Sequence, residues 1–342
     1  MKKPLAIIFN DVHLLPGNEE SVIASIKHMI KYAQKEKISD LIFAGDMFES
    51  RSVQRQSVLL ALEEILDLIH KGGLRLYKFP GNHDKTVYSS HNSFLEVYKH
   101  HPCVEFNNDL KKIMIKGVDI TLLPFWSDDV LIPKLKEAEG GDVLISHFEM
   151  KGSTNLGHTN EKSSITRTLL KKWKKVYLGH FHNTHEINKN IIHLPSFQQT
   201  NFGEDPHKGF TVLHDDLSYH IVRGHFKRFN KISIDINKTD SKSLLELIRI
   251  HSGSQDTIRF EFTGDKEKLD AIDKNLFKDS GIDVKKNYDK IYEINETEKP
   301  ELIKKYDKEQ VHTSFKKFCE DKNYDYEIGI IFLDNFLKEN NG

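Results

Sequence analysis

At 342 residues the chain exceeds one minimal domain and suits a large catalytic domain with one or two small ones. Its 38% apolar and 30% charged residues are those of a soluble globular protein, and no run approaches the roughly 18 apolar residues of a membrane span. A net charge of −1 excludes a global pull on nucleic acid, and two distant cysteines, Cys103 and Cys319, fit free thiols in a reducing cytoplasm rather than a disulfide framework.

Pro4 to Phe9 is an apolar run that ends at Asn10-Asp11 with no small-residue cleavage site behind it, so it reads as a first buried strand and not a signal peptide. A helix over Glu20 to Glu36 separates it from a second strand, Asp40 to Ala44. That is one βαβ unit with polar residues at the carboxyl ends of both strands. The next helix, from about Val53 to His70, sets Val58, Leu62, Ile65, Leu66 and Ile69 at helical spacing and stops at Gly72-Gly73. Leu74 to Phe79 is a strand that runs straight into Pro80-Gly81-Asn82-His83-Asp84. Ile113 to Ile115, Asp119 to Leu123, Asp142 to Ser146, Lys175 to Leu178, Ile191 to Leu194 and Phe210 to Leu213 all read as short strands. Strands outnumber helices after residue 105, so the pattern predicts an α/β (α+β) fold built on a two-sheet sandwich flanked by helices.

The pattern changes near residue 229. A strand (Ile232 to Ile236), helix (Ser241 to His251), strand (Thr257 to Phe262), helix (Lys266 to Lys278) and strand (Ile282 to Val284) predict a compact second α+β unit. Beyond Pro300, residues 301–338 look helical, with apolar faces that include Phe315, Phe318, Ile331, Phe332 and Phe336. So short a segment cannot build a core alone and is expected to dock on a partner. The expected division is 1–229, 230–290 and 291–342.

Five polar clusters follow apolar runs in order: Asp11 with His13, Asp46, Asn82-His83-Asp84, His147, and His180 with His182. Carboxylate, amide oxygen and imidazole suit divalent ions that hydrolyse phosphodiesters, and the absence of thiolate argues against a structural zinc site. Two such ions need a bridging carboxylate, separate ligands for each and open positions for a water and a phosphate oxygen, a division that the five clusters allow. Singly each cluster is weak, because a histidine at a strand end is ordinarily structural. Asp11-Val12-His13 alternates as a strand end would, so its two ligands meet only if the chain turns there. All five in this order leave the structural explanation little room.

The ordered set Asp11-x-His13, Gly45-Asp46, Gly81-Asn82-His83-Asp84, His147 and Gly179-His180-x-His182 resembles the calcineurin-like metallophosphoesterase superfamily. Within it the chain is most similar to the SbcD family of double-strand-break-repair nucleases, above all its phage recombination branch, over about residues 4–230. The long helical stretch between the second and third motifs, Pro124-Phe125-Trp126, and the segment Pro195 to Phe210 carry that likeness. The resemblance implies a four-layer metallophosphoesterase sandwich, a capping domain that orients DNA and a helical tail that binds an SbcC-like coiled-coil ATPase. It implies Asp11, His13 and His182 on one ion, Asn82, His147 and His180 on the other, Asp46 bridging, His83 assisting the leaving group and Asp84 holding His83. The expected ions are two Mn²⁺, with Mg²⁺, Fe²⁺ or Zn²⁺ compatible with the same ligands. The implied activity is 3′-to-5′ double-strand exonuclease and single-strand endonuclease, in a cytoplasmic, nucleoid-associated complex of two nuclease and two ATPase subunits with no membrane contact. Two departures stand out: Glu49 where some relatives place histidine, which puts that residue's exonuclease contribution in doubt, and Asn10 where many have serine, expected to matter little.

A stand-alone phosphodiesterase or phosphatase, and an inactive scaffold that recruits the ATPase, are the rival readings. Arg223, Lys227, Arg228 and Lys231, with Phe226 and Phe229, read as a solvated face or a strip along the DNA backbone. Val58, Leu62, Ile65, Phe94, Val97 and Tyr98 are core or a homodimer helix bundle. Histidines outside the motifs read as structural, with His185 and His207 closest to the site segments.

Overall fold

In the computed structural model the described residues are 2–155, 158–161, 163–288, 315–316 and 330. Residues 1–289 form one compact unit and 290–342 another. The helix expected over 301–338, the partner-binding tail 291–342 that it belongs to and Cys319 lie outside the described residues, save Phe315, Lys316 and Ile330.

Pro4–Phe9 (β1) and Asp40–Ala44 (β2) are buried nearly throughout, as strands covered on both faces must be. Between them Glu19–Lys35 (α1) buries Val22, Ile26, Met29, Ile30 and Ala33 at three- and four-residue spacing. Gln56–Lys71 (α2) does the same with Val58, Leu62, Ile65, Leu66 and Ile69, which therefore belong to the core. Arg75–Phe79 (β3), Val104–Phe106 (β4), Lys111–Ile115 (β5), Val118–Leu123 (β6), Asp128–Glu137 (α3) and Gly141–His147 (β7) follow. Beyond a short hairpin, Thr154–Asn155 (β8) with His158–Thr159 (β9), come Arg167–Leu170 (α4), Trp173–Gly179 (β10), His185–Asn188 (β11), Ile191–His193 (β12), Gly209–His214 (β13) and Tyr219–Arg223 (β14).

These strands make two six-stranded sheets, β14-β13-β1-β2-β3-β4 and β11-β12-β10-β7-β6-β5. They meet face to face over one apolar core, with Ile8, Ile42 and Tyr77 from the first sheet against Ile120, Val143, Ile145 and Tyr177 from the second. Helices α1 and α2 cover the outer face of the first sheet, and α3 and α4 that of the second, giving the expected four layers. Strands β1 to β4 are mutually parallel, and so are β6, β7, β10 and β12. Their carboxyl ends, and the loops that leave them, therefore collect along one edge of the sandwich.

Phe229–Asp235 (β15), Ser241–His251 (α5), Thr257–Thr263 (β16), Lys266–Asp270 (α6) and Ile282–Lys286 (β17) build a separate parallel sheet, β15-β16-β17. Its core of Ile234, Leu244, Ile248, Phe260, Phe262 and Phe277 is its own. Asp240 starts α5 where the sequence places it, accepting the Ser243 N–H at 2.7 Å. The helix expected over Lys266 to Lys278 breaks in two. Helix α6 ends at Asp270, and Asp273 caps a new 3₁₀ turn, Lys274–Phe277, by accepting the Asn275 N–H at 2.9 Å. Among the described residues no helix is long and apolar enough to cross a membrane.

Lys78 on β3 is fully buried, its Nζ has no hydrogen-bond partner, and the Tyr98 and Phe106 rings lie 5.3 and 5.9 Å away. Burial pushes its amine down to about 8 from the ordinary 10.5. The folded chain then holds fewer protons than the unfolded one, so this lysine costs most below about pH 8 and the cost fades as pH approaches 10.5. Lys78→Met should raise stability by up to about 3 kcal/mol near neutral pH, read from urea midpoints, with the gain shrinking at high pH. A gain independent of pH would contradict this account.

Candidate metal centre

The chain turns sharply just beyond the converging strand ends. Asp11, His13 and Asp46 have φ of 51°, 49° and 61°, and His180 has φ of 91°, left-handed values that non-glycine residues adopt only where surroundings enforce them. The enforcement is visible between the β1 and β2 loops. Asp11 N–H donates to the Gly45 carbonyl at 2.9 Å, Val12 and His13 N–H to that of Asp46 at 2.8 and 3.2 Å, and Leu14 N–H to that of Met47 at 2.7 Å. Strand alternation is lost, and Asp11 and His13 face the same centre. Gly45 (φ 91°) packs so closely that a Cβ there would lie 2.5 Å from His147 Nδ1, and a Cβ on Gly81 would collide with the Asp46 carboxylate.

Two groups of ligand-type atoms result, joined by a third, His13, Asp46 and His83, that overlaps both. In the first, His13 Nε2 and His182 Nε2 are 3.1 Å apart and each is 3.7 Å from Asp11 Oδ1. In the second, His147 Nε2 lies 3.2 Å from Asp46 Oδ2 and 3.1 Å from Asn82 Oδ1, with His180 Nδ1 2.8 Å from the same amide oxygen. Asp46 Oδ2 is also 3.9 Å from His13 Nε2, so this carboxylate reaches both groups. The seven residues expected as ligands thus converge, and Asp46 lies between the two groups.

Burial opposes charge on every one of these groups, and their mutual fields decide the outcome. It would raise the Asp11 carboxyl, but His147, His13 and His182 hold it far below the usual carboxylate range. Asp46 is likewise brought down to about 2, mainly by His147. Burial disfavours imidazolium at His13, yet Asp11, Glu49 and Asp46 lift it to about 10; at His147, Asp46 and Asp11 overcome burial and lift it to about 9. His180, buried and beside His147, falls to about 4. Protons on His13 and His147 thereby stand where cations could. The test of fit is Asp11 Oδ1, an anionic oxygen that is buried without a hydrogen-bond donor and faces three imidazoles. With hard and borderline donors and no thiolate among the seven, the set suits divalent ions.

Supporting contacts correct two expectations. Asp84 does not hold His83. Its fully buried carboxylate accepts the N–H groups of Gly81, Asp46, Met47 and Phe48 at 2.9, 2.9, 2.9 and 3.2 Å, tying the β2 and β3 loops together. Burial and the Asp46 charge push Asp84 up to about 7, while those four donors pull the other way. His83 is fixed instead by its ring Nδ1, 2.7 Å from the Glu49 carbonyl, and by its backbone N–H, which donates to Asp46 Oδ1 at 2.7 Å. Its Nε2 points to the open side, 3.1 Å from Arg51 Nη2. Asn10, expected to matter little, donates to Asp11 Oδ2 at 2.5 Å and so turns Oδ1 toward the centre.

Two glutamates escaped the motif reading as supports. Glu49 Oε2 lies 2.7 Å from His13 Nδ1, and Glu204 Oε1 lies 2.6 Å from His182 Nδ1. The Pro124-Phe125-Trp126 segment forms a wall: Phe125 stacks toward His180 at 6.5 Å, and Trp126 lies under Lys85 Nζ at 3.6 Å. Neither His185 nor His207 joins a metal-type cluster among the described residues.

Residues 6–229 match the family model described as calcineurin-like phosphoesterase. The chain belongs to the calcineurin-like phosphoesterase family. Members are metal-dependent phosphoester hydrolases, which agrees with the two ligand groups. The chain is similar to exonuclease subunit 1 of Enterobacteria phage T4, 26% identical over 199 residues, 56% of this chain and 57% of that protein. It is also similar to the uncharacterized metallophosphoesterase YhaO of Bacillus subtilis (strain 168), 22% identical over 253 residues, 68% of this chain and 59% of that protein. The chain thus spans less than two thirds of the length of either relative. Pseudomonas putida nuclease MPE, a solved structure, aligns at 14% identity with a TM-score of 0.33, over 61% of this chain and 84% of that one.

Imidazoles must be neutral to ligate, so His13 near 10 and His147 near 9 would have to shed protons in order to hold an ion. Calorimetry of Mn²⁺ binding at about pH 7.5, in buffers of different ionisation enthalpy, should register that release, and affinity should rise with pH toward 9. Binding without proton release would show that these histidines are not displaced from their protons.

Proposed function

We propose that the chain is the catalytic subunit of a two-metal DNA nuclease of the SbcD type, combining 3′-to-5′ double-strand exonuclease with single-strand endonuclease activity. The observation that carries this reading is the pair of ligand groups that Asp46 Oδ2 reaches from between, with His83 beside them. DNA as the substrate class is supported by the similarity to the phage T4 exonuclease subunit and by the exposed cations Arg223, Lys227, Arg228 and Lys231 leading from β14 into β15. The proposed setting is a cytoplasmic end-processing complex in recombination and repair, with two copies of this chain and an SbcC-like coiled-coil ATPase that engages the segment 291–342. The residues 230–290 would act as the cap that orients DNA. Exposed Val53, Leu60 and Val97, on or beside α2, are apolar positions that suit pairing of two copies.

The chemistry divides among the residues as follows. Asp11, His13 and His182 would hold one ion, Asn82, His147 and His180 the other, and Asp46 both. Two divalent ions, Mn²⁺ in this proposal, supply activation of water and neutralisation of charge on the phosphoryl oxygens. Asp84, through its four N–H acceptances, keeps the Asp46 and Asn82 loops in register. His83 is half-buried, which lowers its pKa, and with Nδ1 engaged by the Glu49 carbonyl the nitrogen left to exchange a proton with a leaving oxygen is Nε2, which Arg51 Nη2 meets at 3.1 Å in this structure. Phe125 stands beside the second ligand group, its ring 6.4 Å from that of His147 and 6.5 Å from that of His180.

Purified protein with Mn²⁺ should degrade linear duplex and nick single-stranded DNA, alone or with the ATPase partner. Failure on every DNA in both conditions, with hydrolysis of bis-p-nitrophenyl phosphate retained, would leave a small-molecule phosphodiesterase instead. His83→Ala should cut cleavage by about 10²–10⁴ while both ions stay bound, whereas Asp46→Ala should lose metal as well as activity. Parent-like cleavage by both variants would place the active site elsewhere.

A further inference from the structure

The three imidazoles that offer Nε2 to the centre differ in what holds their other nitrogen. His147 Nδ1 meets a backbone carbonyl, that of Ala44, at 2.9 Å. His13 Nδ1 lies near Glu49, an exposed carboxylate that does not align as a hydrogen bond. His182 is different: its Nδ1 is 2.6 Å from Glu204 Oε1, and the Glu204 side chain is 3% exposed.

A buried carboxylate is costly unless its surroundings pair it, and Glu204 is fully paired. Besides His182, Oε1 accepts the Thr200 hydroxyl at 2.5 Å and the Asn201 amide at 2.9 Å, while Oε2 accepts the Thr200 N–H at 3.2 Å and has Lys208 Nζ 3.6 Å away. The loop carrying it is anchored beyond the site too. Gln199 exchanges hydrogen bonds with the backbone of Phe229, and Phe202 packs between the Phe229 ring at 5.1 Å and the Arg259 guanidinium at 3.9 Å. A carboxylate so immobilised imposes its geometry on the ring, which on its own is 23% exposed and free to turn.

We propose that Glu204 is a positioning residue for the Asp11–His13–His182 ion: by accepting Nδ1–H of His182 it fixes the tautomer that turns Nε2 toward Asp11 and His13. A carboxylate partner also strengthens its imidazole as a donor. This inference rests on the two-ion reading of the site. It follows that the ion bound by Asp11 is held the more tightly of the two, because one of its imidazoles is backed by a buried carboxylate while His147 has only a carbonyl behind it and His180 presents Nδ1 itself.

The test is Mn²⁺ binding to the full chain by calorimetry and low-temperature EPR, with no substrate present, together with long-range ¹H–¹⁵N spectra of the metal-free protein at about pH 8.5, above the ordinary histidine range. The parent should bind two ions of unequal affinity and show His182 as the Nδ1–H tautomer. Glu204→Gln should weaken the tighter ion by about 10- to 100-fold, leave the other unchanged and mix the His182 tautomers. His207→Ala, on the same loop but exposed and outside the set of groups that pair Glu204, should keep both affinities and the tautomer. Should the glutamine variant fold poorly, Glu204→Asp keeps the charge and withdraws the oxygen by one methylene, and it should weaken the same ion. Parent-like affinities with an unshifted tautomer in either Glu204 variant overturn the inference, as does equal weakening in His207→Ala, which would mean that the loop and not the carboxylate matters. A parent that takes up no Mn²⁺ overturns the two-ion reading itself.

Discussion

The site depends on Asp46 being held, in a strained conformation, where the two sheets meet. Its φ of 61° is paid for by hydrogen bonds on every side. Its N–H goes to Asp84, its carbonyl accepts from Val12 and His13, and its Oδ1 accepts the His83 N–H. Only Oδ2 remains, directed at His147 and His13. Because the neighbouring glycines at 45 and 81 admit no side chain, the loops after β1, β2 and β3 and the end of β7 close on this one carboxylate. Asp84 is the counterweight: it carries no ligand role in the geometry, but without its four N–H acceptances the loops around Asp46 would contain buried, unpaired donors.

What the sequence revealed was whatever produces a local signal. Runs such as Leu41 to Ala44 or Leu144 to Ser146 read as strands because both faces are covered, and the polar residue that ends each run marks the edge where chemistry collects. Helix α5 was legible from its period, and the structure adds its cap at Asp240. By contrast β14, half-exposed and mixed in character, gives no clear alternation, and β4 is too short to give any. The break after α6 turned on Asp273 competing for a backbone donor, which periodicity does not register.

At the site the same division holds. The seven ligand-type residues stand in motifs, whereas their supports are pairs formed by folding: Glu49 with His13, and Glu204 with His182 across 22 positions. Asn10 was visible but misjudged, since adjacency to a ligand conceals that its amide, by engaging Oδ2, decides which Asp11 oxygen faces the centre. Aspartate and histidine visit left-handed φ more readily than most residues, but at Asp11, His13, Asp46 and His180 that preference is too weak to mark a turn without the surrounding contacts that form only on folding.

Glu49 shows how a departure from a family pattern changes the local electrostatics without removing a ligand. The carboxylate at this position lies against His13 Nδ1, not against the open face where His83 Nε2 and Arg51 meet. Its effect on substrate would therefore be indirect, through the charge it adds behind one imidazole, while its own backbone carbonyl orients His83. One residue thus supports a ligand with its side chain and the proposed acid with its main chain. The second of these roles survives any side chain, so a histidine at position 49 would keep His83 in place and alter only the field behind His13.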